Sequence, residues 1–312
     1  FAGADEYQSV FADAARDIPG IEFVAYREGL DLKGIRYLLM WRPVPGLAQA
    51  MPDLKAIFCF GAGVERLLGS TEVPPQVPIV RMVEPGLTGG MVEYVLWQTL
   101  RHHRRIWELE EAQAQGKWAP HWYPASWDRP VGILGFGELG LAAGEKLTEF
   151  GFPVRGWSRS RKNHATIQCF AGMDELPAFL DGLEILVCLL PLTPQTKGIL
   201  DADLLGRLKP GASLINVGRG GHLIEPDLLA ALASGQILAA SLDVFQQEPL
   251  PADHAFWRHP RIFMTPHNAS DTDPVGGLGA IAAQIGRQRA PGYPRPDAGP
   301  LLMVKKPVNT KM

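Results

Sequence analysis

Three side chains far apart in the chain, Arg219, Glu248 and His267, are of the types that handle a small keto acid. A guanidinium grips a carboxylate in a bidentate fork and polarises a neighbouring carbonyl. A protonated His delivers a proton to the carbonyl oxygen as a hydride reaches the carbon, and a carboxylate beside it favours the charged ring. Singly, each has a plain alternative: Arg219 can cap a strand end, Glu248 can be a surface acid, and His267 can be a hydrogen-bonded turn residue. They read as a set because each sits at or just after a strand-like run: ASLINVG (212–218), ILAASLDVF (237–245, which carries Asp243) and RIFMTPH (261–267). In an open parallel sheet the carboxyl ends of the strands share one edge, and ligands bind there.

A hydride source is written into the middle of the chain. The run VGILG (131–135) leads into Gly135-Phe136-Gly137-Glu138-Leu139-Gly140, then a helix pattern at 138–149, then a second strand-like run, VRGWS (154–158). GxGxxG alone is a weak signal, but between a strand and a helix it reads as a dinucleotide turn. Gly135 makes the turn, Gly137 admits the pyrophosphate and Gly140 lets helix and strand pack closely. The helix N-terminus offers unpaired N–H groups to phosphate. Where an acid normally meets the cofactor ribose, the chain reads Ser158-Arg159-Ser160-Arg161-Lys162, and no Asp or Glu occurs from Gly151 to Met173. Arg155 lies in the same window. Hydroxyls and guanidiniums suit a 2′-phosphate, so NADP(H) is the expected cofactor; a solvated basic loop is the alternative.

These groups need a scaffold. Apolar runs at 131–135, 154–158, 184–191, 212–218, 237–245 and 261–267 alternate with helix patterns such as 225–236, where Leu228, Leu229 and Leu232 recur at helical spacing before Gly235. Continuous apolar strands joined by helices predict a parallel sheet covered on both faces. The fold class is therefore α/β: a doubly wound, Rossmann-type domain over 91–268, with a smaller flavodoxin-like α/β substrate domain built from 1–90 and 269–312. The active site is expected in the cleft between them. The smaller domain has strand-like runs at 22–26, 35–41, 54–61 and 78–82, and takes back a helix at about 274–288. A long helix is expected from about Met91 to Gln115, and the Pro/Gly-rich tail from Pro291 is expected to be extended. Residues 4–17 read as a helix where such a domain usually opens with a strand, so an opening strand is expected to precede this numbering.

Composition narrows the class. The 312 residues are 46% hydrophobic and 20% charged, with net charge −3, as in a soluble globular protein with no general call on nucleic acid or anionic membrane. No apolar run is long enough to span a membrane, and the acidic start is unlike a signal peptide. Cys59, Cys169 and Cys188 sit among apolar residues without metal spacing, as reduced cysteines of a cytoplasmic protein would. His102, His103, His254 and His259 also lack ligand spacing. Trp118, Trp122 and Trp127 cluster in one loop and suit a dimer contact.

The segments FGAGVE, GILGFGELG, LLPLTPQTKGIL, LINVGRGGHLIEPDLLAAL, LDVFQQEPLP and TPHNAS, which span most of residues 54 to 270, resemble the D-isomer-specific 2-hydroxyacid dehydrogenases. GFPVRGWSRSRK and FWRHPRIFMTPH are most similar to the bacterial glyoxylate/hydroxypyruvate reductase A group within that family. The resemblance implies that Arg219 binds a 2-keto or 2-hydroxy acid, that His267 is the general acid/base and that Glu248 is its partner. It implies that backbone N–H groups around Ala62, Gly63 and Val64 hold the substrate carboxylate and that Asp243 meets the nicotinamide amide. Leu190, Pro191, Thr196, Val217 and Gly218 are then expected along the cofactor, and Trp41 at the substrate, although edge packing suits Trp41 equally. A homodimer is also expected. Beyond Asp271 the resemblance fades, and Asn268 stands where a small or apolar residue is expected. A sibling enzyme for a phosphorylated acid remains open, although only Arg42 and Arg66 would serve it. So does a non-catalytic cofactor-sensing scaffold of the same fold. Formate oxidation is disfavoured, because it needs no general acid.

Overall fold

The computed structural model describes residues 22–59, 61, 63–82, 84–287 and 301–303. Its strands are β1 (Phe23–Ala25), β2 (Tyr37–Met40), β3 (Ala56–Cys59), β4 (Ile79–Val80), β5 (Val131–Leu134) and β6 (Val154–Ser158). They continue as β7 (Gln168–Ala171), β8 (Ile185–Cys188), β9 (Ala212–Asn216), β10 (Ile237–Leu242), β11 (Ile262–Met264) and β12 (Leu301–Met303). The α-helices are α1 (Glu65–Leu68), α2 (Pro85–His103), α3 (Ile106–Ala114), α4 (Glu138–Glu149), α5 (Leu176–Leu180), α6 (Ala202–Gly206), α7 (Glu225–Ser234) and α8 (Pro274–Arg287). The chain forms two compact units, one made of the described residues up to Leu87 and from Asp271 onward, the other of Thr88–Ser270.

The Thr88–Ser270 unit holds a seven-stranded sheet in the order β11-β10-β9-β8-β5-β6-β7, parallel throughout. From β5 the chain winds first through β6 and β7, then returns to β8 on the other side, so the switch point lies between β5 and β8. β5, β8 and β9 are buried along their whole length, which their unbroken apolar runs require. One face packs Leu186, Leu214, Leu228, Leu232 and Phe256, and the other Val131, Ile133, Ala143, Leu147 and Val187. Gly235 ends α7 in the left-handed region at φ 80°. β7 is an edge strand that periodicity does not reveal, because no residue of Gln168–Ala171 is fully buried.

The long helix is two helices. α2 ends at His103, Arg105 turns left-handed at φ 49°, and α3 follows with no buried residue. Arg101 bridges the break with a two-pronged bond to Glu110, at 2.8 and 2.6 Å. Such pairing suits an exposed helix that has no apolar face to bury.

In the other unit the parallel sheet runs β1-β12-β2-β3-β4. Leu278, Ile281 and Ile285 of α8 pack on Tyr37, Leu39, Phe58 and Met82. Within the tail, expected to be extended, Leu301–Met303 is a strand that pairs between β1 and β2, in register with Phe23–Ala25 and Tyr37–Leu39. The expected helix at 4–17 and the remainder of the tail lie outside the described residues. Among the described residues no helix is long and apolar enough to cross a membrane.

Candidate active site

The glycine turn stands at the switch point. Gly135 has φ 101°, and a Cβ there would lie 2.6 Å from the carbonyl carbon of Leu189, beyond the end of β8. A Cβ on Gly140 would lie 2.3 Å from the Gly135 oxygen, so helix and turn touch through bare backbone. Gly137 differs: a Cβ there would meet nothing within 4 Å. It is the N-cap of α4 and supplies no side-chain cap, so the space beside the first helical turn suits a phosphate. Glu138 is exposed, and Leu139 packs partly on the core. Phe136 turns its side chain into the core. Its ring is 1% exposed and wedges under Gly156, and its N–H donates to Trp157 O at 2.9 Å.

Half of the basic window is structural. Arg155 Nη1 donates to the carbonyls of Phe179 and Asp181 at the end of α5. Arg161 pairs with Glu175 and donates to Cys169 O at 2.9 Å. No acid occurs in the window itself, yet Glu175, just beyond it, folds back onto Arg161 and accepts the Ala171 N–H. Ser158 Oγ donates to Ser160 O at 2.8 Å, tightening the turn after β6. Arg159 and Lys162 form no ion pair or side-chain hydrogen bond among the described residues, and both Arg159 and Ser160 are exposed. Of the expected phosphate ligands, Arg159 is thus the guanidinium without an internal partner.

Beyond β8, Leu190 is buried and Pro191 exposed. Thr196 Oγ1 donates to Pro191 O at 2.7 Å and accepts the Thr193 N–H at 2.8 Å, so its hydroxyl shapes the loop. Val217 is a core side chain, and a Cβ on Gly218 would lie 3.0 Å from Leu190 O. Arg219 follows. Its N–H donates to His222 Nδ1 at 3.0 Å and its Nη1 to Gly218 O at 2.6 Å. His222, fully buried, was not singled out by its sequence context, although it seats the Arg219 backbone. A Cβ on Gly220 would lie 1.9 Å from the Phe245 carbonyl carbon, so the turns after β9 and β10 meet backbone to backbone.

That contact brings the Arg219 turn against the segment carrying Asp243 and Glu248. Glu248 Oε1 accepts the Phe245 N–H at 3.1 Å, and Oε2 accepts from His267 Nδ1 at 2.9 Å. With Nδ1–H committed to Glu248, Nε2 is the nitrogen on the far side of the ring. His267 itself is left-handed at φ 54°, and its N–H donates to Asp243 O at 2.8 Å. Asp243 is 2% exposed, and its carboxylate accepts the N–H groups of Asn268 and Ala269 and the Thr265 hydroxyl. Burial pushes its acid above the usual carboxylate range, and those bonds together with the nearby His267 pull it back. Asn268 is exposed and serves through its backbone, which relaxes the demand for a small or apolar residue there.

In the other unit, Trp41 packs on Gly61, where a Cβ would lie 2.4 Å from its ring, and Arg66 lies 6.0 Å from the ring centroid. Gly63 O accepts from Cys59 Sγ at 3.1 Å, and Val64 is the N-cap of α1. Ala62 lies outside the described residues.

Comparisons with known proteins point to one family. The profile of the D-isomer specific 2-hydroxyacid dehydrogenase NAD binding domain matches residues 96–269. A glyoxylate/hydroxypyruvate reductase A of Serratia proteamaculans is 43% identical over 290 residues, 91% of each chain. A D-isomer specific 2-hydroxyacid dehydrogenase of Xanthobacter autotrophicus, solved with NADPH and MES, is 38% identical with a TM-score of 0.86, covering 94% of this chain and 93% of its own. An NADPH-dependent glyoxylate/hydroxypyruvate reductase of Sinorhizobium meliloti, solved with NADP and sulfate, is 38% identical with a TM-score of 0.80, covering 87% and 86%.

Proposed function

Since the chain belongs to the D-isomer-specific 2-hydroxyacid dehydrogenase family, we propose that it reduces small 2-keto acids with NADPH, glyoxylate to glycolate and hydroxypyruvate to D-glycerate. The observation that carries this reading is the 2.9 Å pair between His267 Nδ1 and Glu248 Oε2, set at the same sheet edge as the Gly135 turn. A bound reduced nicotinamide supplies the hydride. Arg219 holds the substrate carboxylate and polarises its 2-carbonyl. His267 Nε2–H gives its proton to the carbonyl oxygen, while Glu248 stays on Nδ1 and balances the imidazolium. Backbone N–H groups around Ala62, Gly63 and Val64 are the further carboxylate ligands of this proposal, with Trp41 beside them.

For the cofactor, the open space at Gly137 and the uncapped start of α4 suit the pyrophosphate. Arg159, with Ser158, Ser160 and the Arg161–Lys162 field, suits a 2′-phosphate. Leu190, Pro191, Thr196, Val217 and Gly218 line the remainder through backbone and loop shape, and Asp243 faces the nicotinamide end. The functional unit in this proposal is a cytoplasmic homodimer. Trp118, Trp122 and Trp127 are 97%, 82% and 70% exposed, an apolar surface suited to a second copy.

Initial rates on a panel of 2-keto acids, each with NADPH and with NADH, test the proposal. Glyoxylate and hydroxypyruvate turnover with NADPH is the expected result; no turnover of any 2-keto acid with either cofactor overturns it.

A further inference from the structure

Tyr94 of α2 reaches the active-site turn across 171 residues of sequence: its hydroxyl lies 2.6 Å from Thr265 Oγ1. Thr265 Oγ1 in turn lies 2.6 Å from Asp243 Oδ1. Proton counting fixes the direction of this chain. Asp243 Oδ1 takes the Asn268 N–H at 2.9 Å, and the Ala269 N–H reaches both carboxylate oxygens at 3.1 Å. Every partner of Asp243 with a fixed hydrogen is therefore a donor, an environment that suits the ionised carboxylate. The ionised carboxylate only accepts, so Thr265 donates its single hydroxyl proton to Asp243. Tyr94 must then donate to Thr265. Burial pushes the Tyr94 hydroxyl well above its ordinary range, which keeps it a donor across the working pH range.

The carboxylate at the end of this relay is the hub of the turn that carries His267. Thr265, Asn268 and Ala269 are tied to its side chain and His267 to its main-chain oxygen, so residues on both sides of His267 hang from Asp243. The left-handed backbone of His267, φ 54°, is one that a β-carbon disfavours. Surrounding bonds must hold it. We infer that Tyr94 and Thr265 are positioning residues, a hydroxyl relay that braces Asp243 and through it the turn from which His267 presents its imidazole. This role rests on the proposed use of His267 as proton donor.

Tyr94→Phe tests it, because the ring and its edge contact with Trp97 remain while the hydroxyl goes. Thr265→Val removes the middle of the relay and Thr265→Ser restores it. In Tyr94→Phe and Thr265→Val, kcat for glyoxylate should fall about tenfold, with the NADPH KM within about twofold of wild type. The charged and titrating groups facing Asp243 are Tyr94 from α2 and His267 across the turn, with Thr265 between. With its donor chain broken, Asp243 takes up a proton at higher pH, so the acid limb of kcat should move upward. Amide exchange at Asn268 and Ala269 should quicken about tenfold in both variants and return towards wild type in Thr265→Ser. A Tyr94→Phe enzyme with wild-type exchange, or with faster exchange but unchanged kcat and pH profile, overturns the relay. Exchange is read without substrate, so it judges the bracing even if wild-type protein reduces no 2-keto acid, an outcome that overturns the proposed reaction alone.

Discussion

Glu248 Oε2 lies 2.9 Å from His267 Nδ1, while the other oxygen of the same carboxylate accepts the Phe245 N–H at 3.1 Å. Glu248 is thus aimed by its own turn before it aims the imidazole. A carboxylate satisfies both donors at once. An amide cannot, because one of its ends carries hydrogens.

Glu248→Gln should therefore either release Phe245 or turn an NH2 towards His267 Nδ1, and in both cases the imidazolium loses its counter-charge. Turnover should drop on the order of tenfold or more, with NADPH affinity unchanged. His267→Ala should drop it on the order of 10²–10⁴-fold. Stopped-flow or steady-state rates paired with NADPH titration check both. A Glu248→Gln enzyme of wild-type kcat would mean that the pair is structural.

The two arginines after β6 should separate cleanly. Arg159 has no internal partner among the described residues, whereas Arg161 is committed to Glu175 and Cys169 O. A charge-assisted bond contributes roughly 1.5–3 kcal/mol. Arg159→Ala should raise the NADPH Kd by about tenfold or more and leave that of NADH unchanged, with the contrast shrinking at high salt. Arg161→Ala should change the preference much less. Fluorescence titration with both cofactors decides, and equal losses in the two variants would return the cluster to the status of a solvated loop.

The glycines divide in the same manner. Ala at Gly137 finds open space on a backbone of φ −86°, whereas Ala at Gly220 would put its Cβ 1.9 Å from Phe245 backbone, which has no rotamer with which to yield. Gly137→Ala should fold with wild-type stability yet bind NADPH about tenfold or more weakly, since the methyl fills the phosphate approach. Gly220→Ala should lose about 1–3 kcal/mol or more of stability by overpacking. Urea unfolding and cofactor titration of the two proteins side by side check this. Destabilisation by Gly137→Ala would argue against the open cradle.

The parts of this architecture that were legible in sequence are those with local signatures. Strand–turn–helix around Gly135 announces itself because β5 is apolar and α4 begins at once. The Arg219, Glu248 and His267 positions follow from parallel strands ending on one edge. What stayed hidden depends on contacts between distant residues or on weak local pattern. Glu175 lies beyond the acid-free window and still reaches Arg161. Tyr94 sits in a helix whose apolar look conceals a polar tip that meets Thr265 171 residues away. Arg105 breaks the helix in a left-handed conformation without Gly or Pro, so no local propensity records the break. β12 spans three residues, too short a run for alternation to signal a strand.

A last prediction concerns pH and stability, through a histidine remote from the proposed chemistry. His102 is fully buried; its Nε2 lies 2.8 Å from Ser241 Oγ, which donates to Gln98 Oε1 at 2.7 Å. The Ser241 proton is therefore used, and His102 must donate from Nε2–H. Burial first, then the charges of Arg101 and Arg129, push its pKa from 6.5 down to about 3. The folded protein thus keeps His102 neutral over a range in which the unfolded chain protonates it. Between those values the unfolded state binds more protons, so stability rises with pH there. The contribution is fully present above about pH 6.5 and is lost as pH falls towards 3, at roughly 1.4 kcal/mol per unit. In His102→Gln the amide can donate to Ser241 but does not titrate. Urea unfolding from pH 7 to 4 should therefore show wild-type stability falling more steeply than that of His102→Gln, by about 1 kcal/mol per unit below pH 6. His103, also held low by burial, is present in both proteins and cancels in the comparison. Parallel curves would mean that His102 takes up a second ring proton, on Nδ1, in the folded state, with the Nε2–H bond to Ser241 unchanged.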